Sequence, residues 1–139
     1  MRPMSQVAGL IAAALCLVAL PALADEPGPG GSKPPVPVTG EQVYTMVCQS
    51  CHMADGKGGV GAGSIPSLAN NPKLKIAAYP ISMVVNGRGA MPWFSDTLSA
   101  KQTAEVLTYV RTHFGNAYAK PVTEADVALI PAAPKTASH

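Results

Sequence analysis

Cys48-Gln-Ser-Cys51-His52 constrains this chain more than any other stretch. Two thiols and an imidazole lie within five residues, and what they hold decides what can stand at the centre of the fold. A C-x-x-C pair serves as a dithiol redox site, as half of a zinc site, or as the pair of thioether anchors for a haem. The compartment, the residue after the second cysteine and a partner further along the chain discriminate among the three.

The compartment is read from the start of the chain. Arg2 precedes the apolar run Val7 to Ala24, which ends in Ala22-Leu23-Ala24. A charged start, an apolar stretch and small residues at the two positions a signal peptidase reads describe a secretory signal peptide over residues 1–24. A retained membrane anchor is the competing reading, but Pro21 interrupts the run and it is short for a span of about 20 apolar residues. Cys16 lacks the small residue before it that a lipoprotein needs, so it leaves with the signal. The expected location is periplasmic, with no membrane insertion after cleavage. Nine basic side chains then face eight acidic ones, a formal charge of +1. Nucleic acid or an anionic surface needs clustered basic charge, which is absent. Two thiols remain, Cys48 and Cys51, in an oxidising compartment.

Residues 25–38 are rich in Pro and Gly and read as a flexible linker. Thr39-Gly-Glu-Gln42 has the pattern of a capping box. Val43, Val47 and Cys51 follow at i, i+4 and i+8, which predicts one helical stripe with both cysteines on its inward side. A Gly-rich loop covers residues 54–72, and a loop of that length in a compact domain is usually functional. Pro80 is expected at the first position of a helix that Asn86-Gly87 stops. Ser99 to Gln102 repeats the capping box, and the helix behind it buries Val106, Leu107, Val110 and Phe114, with Gly115 as its cap. Thr123 to Ile130 has the pattern of a short helix. No stretch reads as a strand. Residues 39–118 form the expected haem domain, and 119–139 an extension, partly disordered at its end.

Two helices with long loops between them leave too little apolar content for a core, so a small domain like this one needs a staple or cofactor. The C-x-x-C-H pattern is the attachment signature of c-type haem. One helical turn carries the two sulfurs to neighbouring vinyl groups, and His52 follows as a proximal iron ligand. A thioredoxin-like dithiol belongs at a helix start after a strand, and zinc lacks two further ligands, since His113 and His139 are poorly spaced.

Four methionines could close the other face of the iron. Met53 is adjacent to His52, Met46 lies on the same side of the helix, and Met83 has the spacing of a core residue. Met91 stands in Gly89-Ala90-Met91-Pro92, where Pro92 keeps it out of helical conformation. Met91 is therefore the expected second ligand, a choice that raises the iron's potential. Pro66 either accepts the free ring N–H of His52 or only stiffens its loop. Arg88 and Trp93 flank Met91, and each either bonds a haem propionate or serves as an ordinary surface or core residue. Lys57, Arg88 and Lys101 are candidates for charge near an exposed edge, with only modest steering.

On Cys48-Gln-Ser-Cys51-His52, Ile65-Pro-Ser-Leu68, Asn86-Gly-Arg-Gly-Ala-Met-Pro-Trp93 and Leu107-Thr-Tyr-Val-Arg-Thr-His-Phe114, the chain resembles a class I cytochrome c over Thr39 to Tyr118. It looks most like the haem domains in cytochrome subunits of bacterial membrane-bound alcohol, aldehyde and gluconate dehydrogenases. The resemblance implies an all-α fold with crossed N- and C-terminal helices around one covalent haem c. It also implies Met91 as axial ligand, the Pro66 carbonyl on His52, and one-electron transfer through an exposed haem edge. A dehydrogenase is then the expected donor, and a terminal oxidase or another cytochrome the acceptor. Those subunits carry several haem domains and an anchor; this chain has one C-x-x-C-H. The competing class is an enzyme, either a thiol–disulfide oxidoreductase using Cys48 and Cys51 or a haem enzyme with a labile distal ligand. No acid–base group flanks Met91, which favours the carrier, whether free or as a dehydrogenase subunit.

Overall fold

The computed structural model describes residues 36–60 and 63–134. The signal-peptide expectation for residues 1–24, the linker as far as residue 35 and the last residues, 135–139, lie outside the described part. Residues 36–38 run onto the domain, where the Pro37 carbonyl accepts the Gln102 side-chain N–H at 2.9 Å.

Three capping boxes start three helices. Thr39 Oγ1 accepts the Gln42 N–H at 3.2 Å, and Gln42 Oε1 accepts the Thr39 N–H at 3.2 Å. Behind it runs one helical segment made of α1 (Gly40–Val43), a π-helical turn (Tyr44–Cys48) and α2 (Gln49–His52). In the middle turn the Gln49 N–H reaches back five residues to the Tyr44 carbonyl. Such a turn advances less per residue than an α-turn. A stripe counted at i, i+4 and i+8 therefore drifts. Val43 is buried and Val47 and Cys48 are half-buried, whereas Cys51 is exposed. The inward stripe expected from the sequence is seen at Val43, Val47 and Cys48, and Cys51 lies at its exposed end.

The Gly-rich loop carries a two-residue antiparallel ladder of β1 (Gly59–Val60) and β2 (Ser64–Ile65), too short to show as a pattern in sequence. A 3-10 turn, Pro72–Lys75, precedes α3 (Ala78–Asn86). Pro80 thus occupies the third helical position instead of the first. The first four N–H groups of a helix have no partner within it, so proline costs nothing there, and its ring is buried.

The second capping box, Ser99 with Gln102, starts α4 (Ala100–Thr112). α1 lies across α4 at Gly40, where a Cβ would stand 2.2 Å from the Glu105 carbonyl oxygen and 2.7 Å from Tyr109 Cβ. Only glycine lets the two helices approach so closely. The mutual burial of Val43, Tyr44, Val106 and Val110 makes this the centre of the core. α4 ends at Thr112, earlier than its apolar pattern suggests. Phe114 takes a positive φ of 56° and turns its ring to within 4.8 Å of Tyr44. The third box, Thr123 with Asp126, starts α5 (Glu124–Ala128), which packs on α4 and α3 through buried Val122 and Val127. The described part is mainly helical, as the class I cytochrome c resemblance implies. Among the described residues no helix is long and apolar enough to cross a membrane.

Candidate functional site

Cys48 and Cys51 are both free thiols, three residues apart on one helical run. Burial, and then the neighbouring Cys51, push the Cys48 thiol up to about 11. It is a protonated thiol at neutral pH. Dithiol redox sites depend on the opposite, a thiolate stabilised well below the ordinary value.

His52 closes α2 with its ring buried, 8% exposed. Its Nδ1 lies 3.2 Å from the Pro66 carbonyl oxygen. A carbonyl only accepts, so Nδ1 carries the hydrogen and Nε2 keeps its lone pair. Burial lowers the basicity of the ring, and the Pro66 bond partly opposes that. The imidazole is therefore neutral, with one nitrogen occupied and one available to a metal. Among the described residues no group of three or more His, Cys, Asp or Glu could hold a metal ion. A bare ion such as zinc lacks a donor set here. Two addition-competent thiols beside one oriented imidazole fit a group that brings its own remaining donors, and haem is such a group.

The Pro66 carbonyl owes its position to Gly58. At φ 66°, Gly58 lies under the returning loop, and a Cβ there would stand 2.2 Å from the Ile65 oxygen and 2.8 Å from the Pro66 oxygen. The Gly58 N–H also donates to the His52 carbonyl at 3.1 Å. Two further residues hold this corner. Tyr44, with its hydroxyl pushed up to about 12, chiefly by burial, donates to the Met53 carbonyl at 2.7 Å. Buried Asn116 accepts the Asn71 N–H at 2.9 Å and donates to the Leu68 and Val110 carbonyls at 2.8 and 2.9 Å. Sequence reading missed Gly58, Tyr44 and Asn116. The run Gly56-Lys-Gly-Gly59 signals that some glycine matters, but not which one meets the loop.

Met91 arrives on a different segment. Gly87 ends α3 at φ 68°, and a Cβ there would stand 2.6 Å from the Met91 oxygen and 2.8 Å from Pro92 C. The Arg88 N–H donates to the Met91 carbonyl at 2.9 Å, and the Met91 N–H to the Arg88 carbonyl at 3.1 Å, closing a tight turn over Gly89 and Ala90. The Phe94 N–H then ties the chain back to the Val84 carbonyl at 2.8 Å. Met91 is half-buried against the core cluster that Val47, Cys48 and Leu68 also join. Arg88 is exposed and Trp93 half-buried. Met46 and Met53 are 51% and 43% exposed, and Met83 sits half-buried in α3. Cys48, Cys51, His52 and Pro66 thus form one continuous unit, and the Met91 turn is a second, separately braced one.

A family model described as cytochrome C oxidase, cbb3-type, subunit III matches residues 35–110. The chain is 39% identical over 104 residues to the cytochrome c subunit of an alcohol dehydrogenase (quinone) from Gluconacetobacter polyoxogenes, which covers 65% of this chain and 22% of that protein. It is 37% identical over 95 residues to a fructose dehydrogenase cytochrome subunit from Gluconobacter japonicus, covering 58% of this chain and 19% of that one. Over 73 residues it is 36% identical to cytochrome c6 of Leptolyngbya boryana, covering 51% of this chain and 85% of that protein. The chain therefore spans about a fifth of the length of the dehydrogenase subunits it matches.

Proposed function

This chain belongs to the cytochrome c family, in the group whose model is described as cytochrome C oxidase, cbb3-type, subunit III, and from that premise we propose that it relays single electrons between larger redox proteins in the periplasm, with His52 and Met91 as the axial ligands of its haem. It is an electron-transfer protein carrying covalent haem c, with the cysteines spaced as C-x-x-C-H. Cys48 and Cys51 are the residues that would add their S–H groups across the two vinyl groups, leaving two thioethers. The haem supplies a one-electron Fe(III)/Fe(II) couple.

The observation that carries this reading is the fixed tautomer of His52. Its Nδ1–H is bound to the Pro66 carbonyl, so the ring is held in one orientation with Nε2 as the donor. Met91 offers a neutral thioether from a turn braced at both ends, which favours a raised potential. Rigid donors on both segments mean that little atomic rearrangement accompanies a change of charge. Ala90 and Pro92 beside Met91 provide no proton donor or acceptor side chain, which suits a carrier better than a haem enzyme. The names of the relatives support a dehydrogenase as electron donor, with a terminal oxidase or another cytochrome as acceptor. The signal-peptide pattern of residues 1–24 supports the periplasm.

The test is the absorption spectrum of the holoprotein and of Met91→Ala. The wild type should be low-spin, with the weak long-wavelength band of thioether-ligated oxidised iron. Met91→Ala should keep its haem, lose that band, bind carbon monoxide readily when reduced and show a lower potential. An unchanged spectrum and potential in Met91→Ala would remove Met91 from the iron. A colourless protein with a reducible Cys48–Cys51 disulfide would overturn the whole reading.

A further inference from the structure

The described chain does not stop at the end of α4. Its last part folds back over the domain and reaches Asn86, the last residue of α3. The buried Arg111 side chain holds the start of this return through the Lys120 carbonyl. Thr108 Oγ1 accepts the Val122 N–H at 2.9 Å. Val122 and Val127 are buried, and Ile130 packs against the same core. Beyond Ile130 the chain runs onto the last residue of α3. Asn86 Nδ2 donates to the Pro131 carbonyl at 3.4 Å, and Asn86 Oδ1 accepts the Ala133 N–H at 2.6 Å. One carboxamide thus reads two backbone groups of the tail, much as a strand edge would.

Asn86 is also the residue before Gly87, and the Gly87 backbone is the surface on which Met91, Pro92 and Trp93 lie. Three braces of the Met91 turn, the Gly87 backbone, the Arg88–Met91 pair and the Phe94–Val84 bond, involve the C-terminal part of α3 or the residues that directly follow it. A helix end frays unless something holds it. Here the Gly87 N–H bond to the Met83 carbonyl caps the end, and the tail adds two bonds to Asn86.

We propose that residues 119–134 act as a strap that positions the Met91 turn, with Asn86 as the positioning residue through which the strap acts. α5 and its buried valines fasten the strap, and the two Asn86 bonds pass its restraint to the turn. The inference rests on Met91 being the iron's second ligand, and it assigns the control of that ligand's release to a segment that follows Met91 by more than 25 residues and reaches back to Asn86 through bonds spanning 45 and 47 residues.

The experiment compares these forms of the holoprotein with the wild type: Asn86→Ala, Asn86→Asp, a chain ending at Ile130, Asn86→Ala in that shortened chain, and Met91→Ala. The readouts are the carbon monoxide association rate of the reduced protein, the temperature at which the oxidised thioether band is lost, and the global unfolding midpoint. The truncated chain keeps α5 and Val122, Val127 and Ile130, so it should fold. Asn86→Ala and the truncation should each raise the carbon monoxide rate about threefold to tenfold, the effect of losing one or two modest hydrogen bonds. The combined form should match the single ones, because both remove the same contact. Asn86→Asp, which keeps the acceptor for Ala133, should fall between. Wild-type rates in both single forms, additive effects in the combined form, or a lowered unfolding midpoint with an unmoved rate would each overturn the strap. If Met91→Ala alone gives the fast rate, the ligand reading stands while the strap falls. If Met91→Ala keeps the band, both fall.

Discussion

Replacing Gly58 with alanine should loosen His52 without touching it. The new Cβ would stand 2.2 Å from the Ile65 oxygen and 2.8 Å from the Pro66 oxygen. The returning strand must retreat by roughly 1.2 Å to reach the near edge of ordinary contact at 3.4 Å. The His52–Pro66 distance is already 3.2 Å, at the long end of a hydrogen bond, so a shift of that size breaks it. Alanine at φ 66° adds about 1–2 kcal/mol of backbone strain, and the lost bond about 0.5–1.5 kcal/mol. The expected destabilisation is about 1.5–3.5 kcal/mol, which for a domain of this size lowers Tm on the order of 10–20 °C. An imidazole without its carbonyl partner is a weaker donor, so the potential should rise. Thermal unfolding, potentiometry and the exchange rate of the His52 ring N–H measure the three consequences. Gly59→Ala is the control, because the nearest atom to its Cβ is Met53 Cε at 4.0 Å. A Gly58→Ala protein that matches the Gly59→Ala control in all three measurements would refute the reasoning.

Replacing Cys48 and Cys51 together with alanine should yield little folded holoprotein, since the haem completes the core; circular dichroism showing stable native helicity without haem would contradict this. Asn116→Ala strands the Asn71 N–H and the Leu68 and Val110 carbonyls, some of which water can reach, and should cost about 2–4 kcal/mol in denaturant titrations. The Thr123 N–H and hydroxyl hold the Asp126 carboxyl below its ordinary value of 3.8. Its contribution to α5 is therefore complete above pH 3.8 and is lost as the pH falls through the lowered value. Hydrogen exchange in α5 should show this acid-induced loosening, and Asp126→Asn should flatten it.

How much of this protein was legible in its sequence depends on the range of each signal. The three capping boxes appear in the structure where the pairs Thr39/Gln42, Ser99/Gln102 and Thr123/Asp126 place them. Their hydrogen bonds close within one turn, so no distant residue can overrule them. The spacing of Cys48, Cys51 and His52 is equally local, and it names the cofactor because only that chemistry uses two thiols and an imidazole in this order. Met91 was legible as a candidate from Pro92 and the glycines around it. Helix phase was not, because a π turn at Tyr44–Cys48 looks like any other turn in sequence. Nor was the early end of α4, where packing of Phe114 on Tyr44 outweighs the continuing apolar pattern.

By itself, then, the sequence determined the three capped helix starts, the attachment motif and the chemical identity of what it holds, all settled by neighbours a few bonds apart. Only the tertiary structure decided that Pro66 is the residue whose carbonyl reaches His52, that Gly58 is the glycine beneath it, and that the chain's end returns to Asn86. Those contacts join segments many residues apart. Backbone shape and close packing select their partners, and neither is written in any single stretch of residues.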